Sequence, residues 1–145
     1  MPDIAYIALG SNVGDRDAHL AFARSAIAAL PETSVLGASA VSETAAQGPV
    51  PQGPFLNQML AIRTSLEPRD LLEALLGIER TAGRVRSVRW GPRTLDLDIV
   101  RYDNRSVCFP TLVVPHPELP RRDFWQRQLA ELEASEFVSE RDAST

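Results

Sequence analysis

The chain has 145 residues, 44% of them hydrophobic, enough for one domain with a real core and too few for two. Its formal net charge is −4 and its pI is near 5.2, which argues against a general nucleic-acid binder, whose footprint would be basic. All 15 basic residues are arginine, so Schiff-base chemistry and a phosphate-loop lysine are excluded and phosphate would have to meet arginine.

No run approaches the roughly 20 apolar residues of a membrane span. The opening MPDIAYIALG lacks the charged front and cleavage site of a signal peptide. A cytoplasmic protein without a membrane partner is expected. Cys108, the single cysteine, sits in the apolar run VCF and is expected to be a buried structural thiol with no chemical role.

Residues 4–9, IAYIAL, form a continuous apolar run ending at Gly10, the pattern of a central strand buried on both faces. The turn Gly10-Ser11-Asn12-Val13-Gly14-Asp15-Arg16 is not G-x-G-x-x-G; it reads as a strand-to-helix connection with Asp15 as the cap. Leu20, Ala23, Ile27 and Leu30 recur at helical steps and predict a helix over 16–30, ended by Pro31. Residues 33–44 and 55–65 read as an antiparallel strand pair. Between them, half of AAQGPVPQGP is glycine or proline, a loop long enough to act as a binding flap. Asn57, just inside the second strand, is either a turn-capping group or a ligand contact.

Pro68 suits the first position of a second helix, whose stripe of Leu71, Leu72, Leu75, Leu76 and Ile78 ends before Gly83. From Arg80 to Leu95 there are five arginines and no acid, against the overall charge of the chain. The strand that follows alternates: Leu95, Leu97 and Ile99 go to one side, Asp96 and Asp98 to the other, roughly 6.6 Å apart. Two carboxylates beside arginine forks suit a magnesium–polyphosphate site; the other reading is the polar face of a half-exposed strand. Asp103-Asn104 predict a turn, residues 106–114 another extended piece, and 121–133 a third helix. His116, between two prolines, is either a structural hydrogen bonder or a ligand. The order strand, helix, strand, strand, helix, strand predicts an α+β, ferredoxin-like antiparallel sheet with helices packed on one face. It forms a single domain over 1–133, followed by an acidic, poorly ordered tail over 134–145.

Three segments, ALGSNVGDR at 8–16, GRVRSVRWGPRTLDLDI at 83–99 and VPHPEL at 114–119, closely resemble the 6-hydroxymethyl-7,8-dihydropterin pyrophosphokinases. These folate-pathway enzymes move a pyrophosphate from ATP to a pterin alcohol, and the similarity covers about residues 4–133. The resemblance implies a catalytic set of Arg84, Arg93, Asp96 and Asp98, with the two aspartates holding two magnesium ions that bridge the ATP phosphates. It places Glu79, Arg84, Arg86, Arg93, His116 and Arg122 on the ATP side. On the pterin side it places Phe55 and Phe124 as a stacking pair, Asn57 at the edge of the heterocycle and Trp90 sealing the site, with Thr44, Gln47 and Asp96 beside it. The chemistry needs alignment and charge neutralisation rather than a covalent nucleophile. ATP and the pterin are then the partners, and a monomer is expected. The departures are Thr44-Ala45-Ala46-Gln47 where the family often has T-P-P, a loop one residue shorter between Arg86 and Arg89, Thr111 in place of an arginine, and Trp125-Gln126-Arg127-Gln128-Leu129 in place of V-L-x-P-L. A diverged paralogue with another acceptor and a non-catalytic nucleotide- or partner-binding domain are the alternatives.

Overall fold

β1 (Asp3–Ser11) is the central strand its composition predicts, and everything from Ala5 to Ser11 is buried. The structure, a computed structural model, describes residues 2–46, 49, 51–83, 94–103 and 105–135. α1 (Arg16–Ala28) starts where Asp15 accepts the Ala18 amide at 3.1 Å, the cap expected of a carboxylate ahead of a helix. It ends two residues earlier than predicted, with the Ala29 amide returning to the Ser25 carbonyl.

The segment read as one strand over 33–44 is two pieces, β2 (Thr33–Ala38) and β3 (Ser42–Thr44), both antiparallel to β4 (Phe55–Thr64). Between them Ser39-Ala40-Val41 leave the ladder; the Ser39 amide donates to the Met59 carbonyl, and its hydroxyl accepts the Met59 amide, both at 2.9 Å. Register shifts by one residue near Leu36 and again before Ser42. Such breaks bend a strand, and here the bend turns its far end into a separate short piece.

α2 (Pro68–Thr81) begins at the predicted proline, and β5 (Asp96–Tyr102) is the predicted aspartate strand. A hairpin of β6 (Val107–Phe109) and β7 (Leu112–Val114) replaces the single extended piece expected over 106–114. α3 (Asp123–Glu133) follows a short 3-10 turn. The main sheet runs β2–β4–β1–β5 with β3 also on β4, the strand order of a ferredoxin-like α+β domain.

The two sides of the sheet are filled differently. Ala5, Ile7, Leu9, Leu60, Ile62, Leu97 and Ile99 face α1 and α2, where they meet Leu20, Ala23, Ile27, Leu71 and Leu75. Burying each large side chain there contributes about 1.5–3 kcal/mol. Both helices of the βαββαβ unit thus share one face, as expected. α3, outside that unit, packs Trp125, Leu129 and Leu132 against Tyr6, Ala8, Met59, Ala61 and Val100 on the other.

Cys108 corrects the sequence reading: it is exposed. In a hairpin strand alternate residues face opposite sides, so Val107 and Phe109 turn to the core while Cys108, paired with exposed Val113, turns outward. Asn104, the arginine segment 84–93 and the tail from 136 onward lie outside the described residues.

Candidate functional site

The site is built on the α3 side of the sheet, where neighbouring ends of β3, β4, β1 and β5 lie side by side. Pairing places Ser42 beside Asn57, Asn57 beside Gly10, and Gly10 beside Asp96, a row across four strands whose side chains share one face. One step further along β5, Asp98 pairs with Ala8. Both aspartates are half-buried, while Leu97 between them is buried in the α1–α2 core. The alternation predicted for L-D-L-D is therefore present, and the carboxylate face is the partly exposed one.

Gly10 leaves its place in that row without a side chain, although the position itself is buried. A Cβ there would sit 3.4 Å from Phe55 Cδ1 and 3.7 Å from Asn57 Oδ1, so any larger side chain would occupy the floor between Asn57 and Asp96. Those two residues lie two strands apart, roughly 10 Å at the usual sheet spacing.

On the β4 side, Asn57 is 7% exposed, and its Nδ2 donates to Thr44 Oγ1 at 2.8 Å, with longer approaches to the Ser42 and Phe55 carbonyls. It ties β3 to β4, and its Oδ1 lies 3.7 Å from where a Gly10 Cβ would stand. Phe55 is half-buried at the start of β4.

On the β5 side, His116 Nε2 stands 3.7 Å from Asp98 Oδ1. His116 is anchored by its amide to the Val100 carbonyl at 2.8 Å, and its Nδ1 accepts the Glu118 amide at 3.0 Å. With Nδ1 an acceptor, the neutral ring carries its proton on Nε2, facing the carboxylate. Trp125 organises the rest: the His116 ring meets it edge-on at 5.0 Å, Phe124 lies 6.2 Å away at 66°, and the Arg122 guanidinium stacks 4.4 Å over it. Glu79, at the end of α2, is 3% exposed, and its Oε2 accepts the Leu97 amide at 2.8 Å, pinning the strand between the two aspartates.

Of the residues singled out from sequence, Asp96, Asp98, His116, Arg122 and Phe124 gather at one side of this face and Thr44, Phe55 and Asn57 at the other. Gln47, Arg84, Arg86, Trp90 and Arg93 lie outside the described residues. Sequence reasoning missed Gly10 as the floor, Trp125 as the hub and Gln128 behind Asn57. It also missed how the end of the 45–54 loop is tied down: Asn12 Nδ2 donates to Gln52 Oε1 at 2.7 Å and to the Gly53 carbonyl at 3.0 Å. Arg16 Nη1 reaches the Pro54 carbonyl at 2.9 Å and Glu43 at 2.8 Å. The motif at 8–16 was visible, but not that its polar side chains close on a loop about 40 residues away.

Among the described residues no group of three or more His, Cys, Asp or Glu side chains gathers as a metal cage. Two carboxylates on one strand face suit a cation that completes its oxygen shell from phosphate and water, as magnesium does.

A family model described as 7,8-dihydro-6-hydroxymethylpterin-pyrophosphokinase (HPPK) matches residues 6–134. The chain is similar to proteins named 2-amino-4-hydroxy-6-hydroxymethyldihydropteridine pyrophosphokinase from three bacteria. With that of Bacillus subtilis it shares 45% identity over 135 residues, 91% of this chain and 79% of that protein. With that of Methylorubrum extorquens it shares 44% over 128 residues, 88% and 81% of the two chains. With that of Pseudomonas aeruginosa it shares 42% over 127 residues, 88% and 78%.

Proposed function

The chain belongs to the 7,8-dihydro-6-hydroxymethylpterin pyrophosphokinase family, and we propose that it performs that family's reaction on the α3 face of its sheet, around Gly10. The reaction transfers pyrophosphate from ATP to the hydroxymethyl group of the dihydropterin in folate biosynthesis, leaving AMP. The observation that carries the placement is the row Asn57–Gly10–Asp96: an amide able to read a heterocycle edge and a carboxylate able to hold a cation, separated by a position without a side chain.

Asp96 and Asp98 would hold magnesium, two ions by our reading, and the bound metal supplies neutralisation of the phosphate charge. Around it the protein's own groups align the reactants. His116 presents Nε2–H beside Asp98, and in this reading it donates to a phosphate oxygen. Arg84 and Arg93 serve as phosphate forks, with Arg86 joining them and Arg122 held ready on Trp125. Glu79 keeps the Asp96–Asp98 strand in register. The flat pterin stacks between Phe55 and Phe124, with Asn57 at its edge, Thr44 and Gln47 beside it and Trp90 over it. No covalent intermediate is needed: the hydroxymethyl oxygen attacks the β-phosphorus and AMP departs.

We take the working unit as a monomer in the cytoplasm. No described helix is long and apolar enough to cross a membrane. The test is AMP release from ATP, Mg²⁺ and 6-hydroxymethyl-7,8-dihydropterin, repeated with Asp96→Ala and Asp98→Ala. The wild type should turn over and both variants should fail. Full activity of both at limiting Mg²⁺ would place the chemistry elsewhere.

A further inference from the structure

Gln128 is 5% exposed on the inner side of α3, and nothing in the reaction above uses it. Its Nε2 donates to the Ser42 hydroxyl and to the Asn57 main-chain carbonyl, each at 3.2 Å, while Oε1 is buried with no hydrogen-bond partner among the described residues. A half-satisfied buried amide is costly to fold around, and an apolar side chain of the same length would cover the same surface without the orphan carbonyl. Packing of α3 is therefore not what the amide contributes. What an apolar residue cannot do is join three elements at one point.

The geometry points to Gln128 as a positioning residue that sets the width of the pterin slot. Phe124, one wall, lies one helical turn before Gln128 on the same side of α3. Phe55 and Asn57, the other wall and the edge reader, start β4. Thr44, which accepts the Asn57 amide, ends β3. Gln128 reaches β4 where β2 has ended and β3 begins, with one hydrogen bond to each of β3 and β4. It thus holds the helix carrying Phe124 at a fixed distance from the strand carrying Phe55. A heterocycle stacked between two rings gains only if that distance is held, because dispersion and stacking fall steeply with a gap of even 1 Å. The inference rests on Phe55, Asn57 and Phe124 forming the pterin slot.

The test is Gln128→Met, which keeps length and burial but removes the donor. Equilibrium binding of 6-hydroxymethyl-7,8-dihydropterin is measured with a non-hydrolysable ATP analogue present, beside binding of the analogue alone, steady-state kinetics and thermal melting. The pterin Kd and KM should rise about five- to tenfold, as for loss of a neutral hydrogen-bonding group. The analogue Kd and the kcat at saturating pterin should stay unchanged, since ground and transition state lose the same contact. Ser42→Ala removes one acceptor without touching α3; it should weaken pterin about threefold, and it decides the matter if Gln128→Met does not fold. Wild-type pterin affinity in a folded variant, whatever its melting temperature, would overturn the proposal, as would equal losses of pterin and analogue. Asn57→Ala and Phe124→Ala run alongside: if these too bind pterin normally, the slot itself is misplaced and the proposal falls with it, a failure distinct from that of Gln128 alone.

Discussion

The two faces of the sheet use the same strands for opposite purposes. Under α1 and α2, Ile7, Leu9, Leu97 and Ile99 are sealed against Leu20, Ile27, Leu71 and Leu75. Under α3, cover is complete over Tyr6, Met59 and Val100, but the row Asn57–Gly10–Asp96 lies at the end where α3 starts with Phe124 and Trp125. Because side chains alternate along a strand, burying Leu97 and Ile99 on one side is what fixes Asp96 and Asp98 on the other. The two aspartates are held on a strand whose other face is core, and substitutions on the two faces should separate catalysis from stability.

The largest effect expected is that of Asp98→Ala. Losing a cation-holding carboxylate removes several kcal/mol of charge stabilisation, on the order of 10³ in kcat, while the melting temperature stays near that of the wild type, because the side chain is half-exposed and outside both apolar clusters. Single-turnover kinetics and thermal melting together check this; a collapse in melting temperature would show the two faces to be coupled. Leu75→Ala, on the sealed face, should do the reverse, costing about 2–5 kcal/mol of stability by cavity formation. Its kcat should be close to wild type at a temperature where it is folded, as denaturant unfolding and activity measured side by side would reveal. Gly10→Ala sharpens the comparison. The strand tolerates it, since the new methyl would make ordinary contacts, 3.4 Å to Phe55 Cδ1 and 3.7 Å to Asn57 Oδ1, but it lies on the slot floor. Its pterin KM should rise about tenfold, the cost of overfilling a packed contact, with affinity for an ATP analogue unchanged. The smallest effect is that of Asp15→Ala, which removes the α1 cap and should cost about 1 kcal/mol in denaturant midpoint analysis, with kcat unaltered.

The apolar run at 4–9, the stripe on α2, the Asp15 cap, the Pro68 start and the alternation around Asp96 and Asp98 were legible in the sequence because each is set within a few residues by helical or strand period and by local hydrogen bonding. So was the order of elements, and with it the sheet. Tertiary structure alone decided what depends on partners far along the chain. Cys108 faces outward because its hairpin, not its neighbours in VCF, chooses the buried side. The strand expected at 33–44 divides because register with β4 shifts twice, which no local propensity encodes. Gly10 reads as the end of a strand until pairing sets it between Asn57 and Asp96. Trp125 and Gln128 read as departures from an apolar pattern until α3 docks, bringing one against His116 and the other against Ser42 and Asn57, about 70 to 86 residues away. Periodicity reports which way a side chain points; only closure of the chain on itself determines what it meets there.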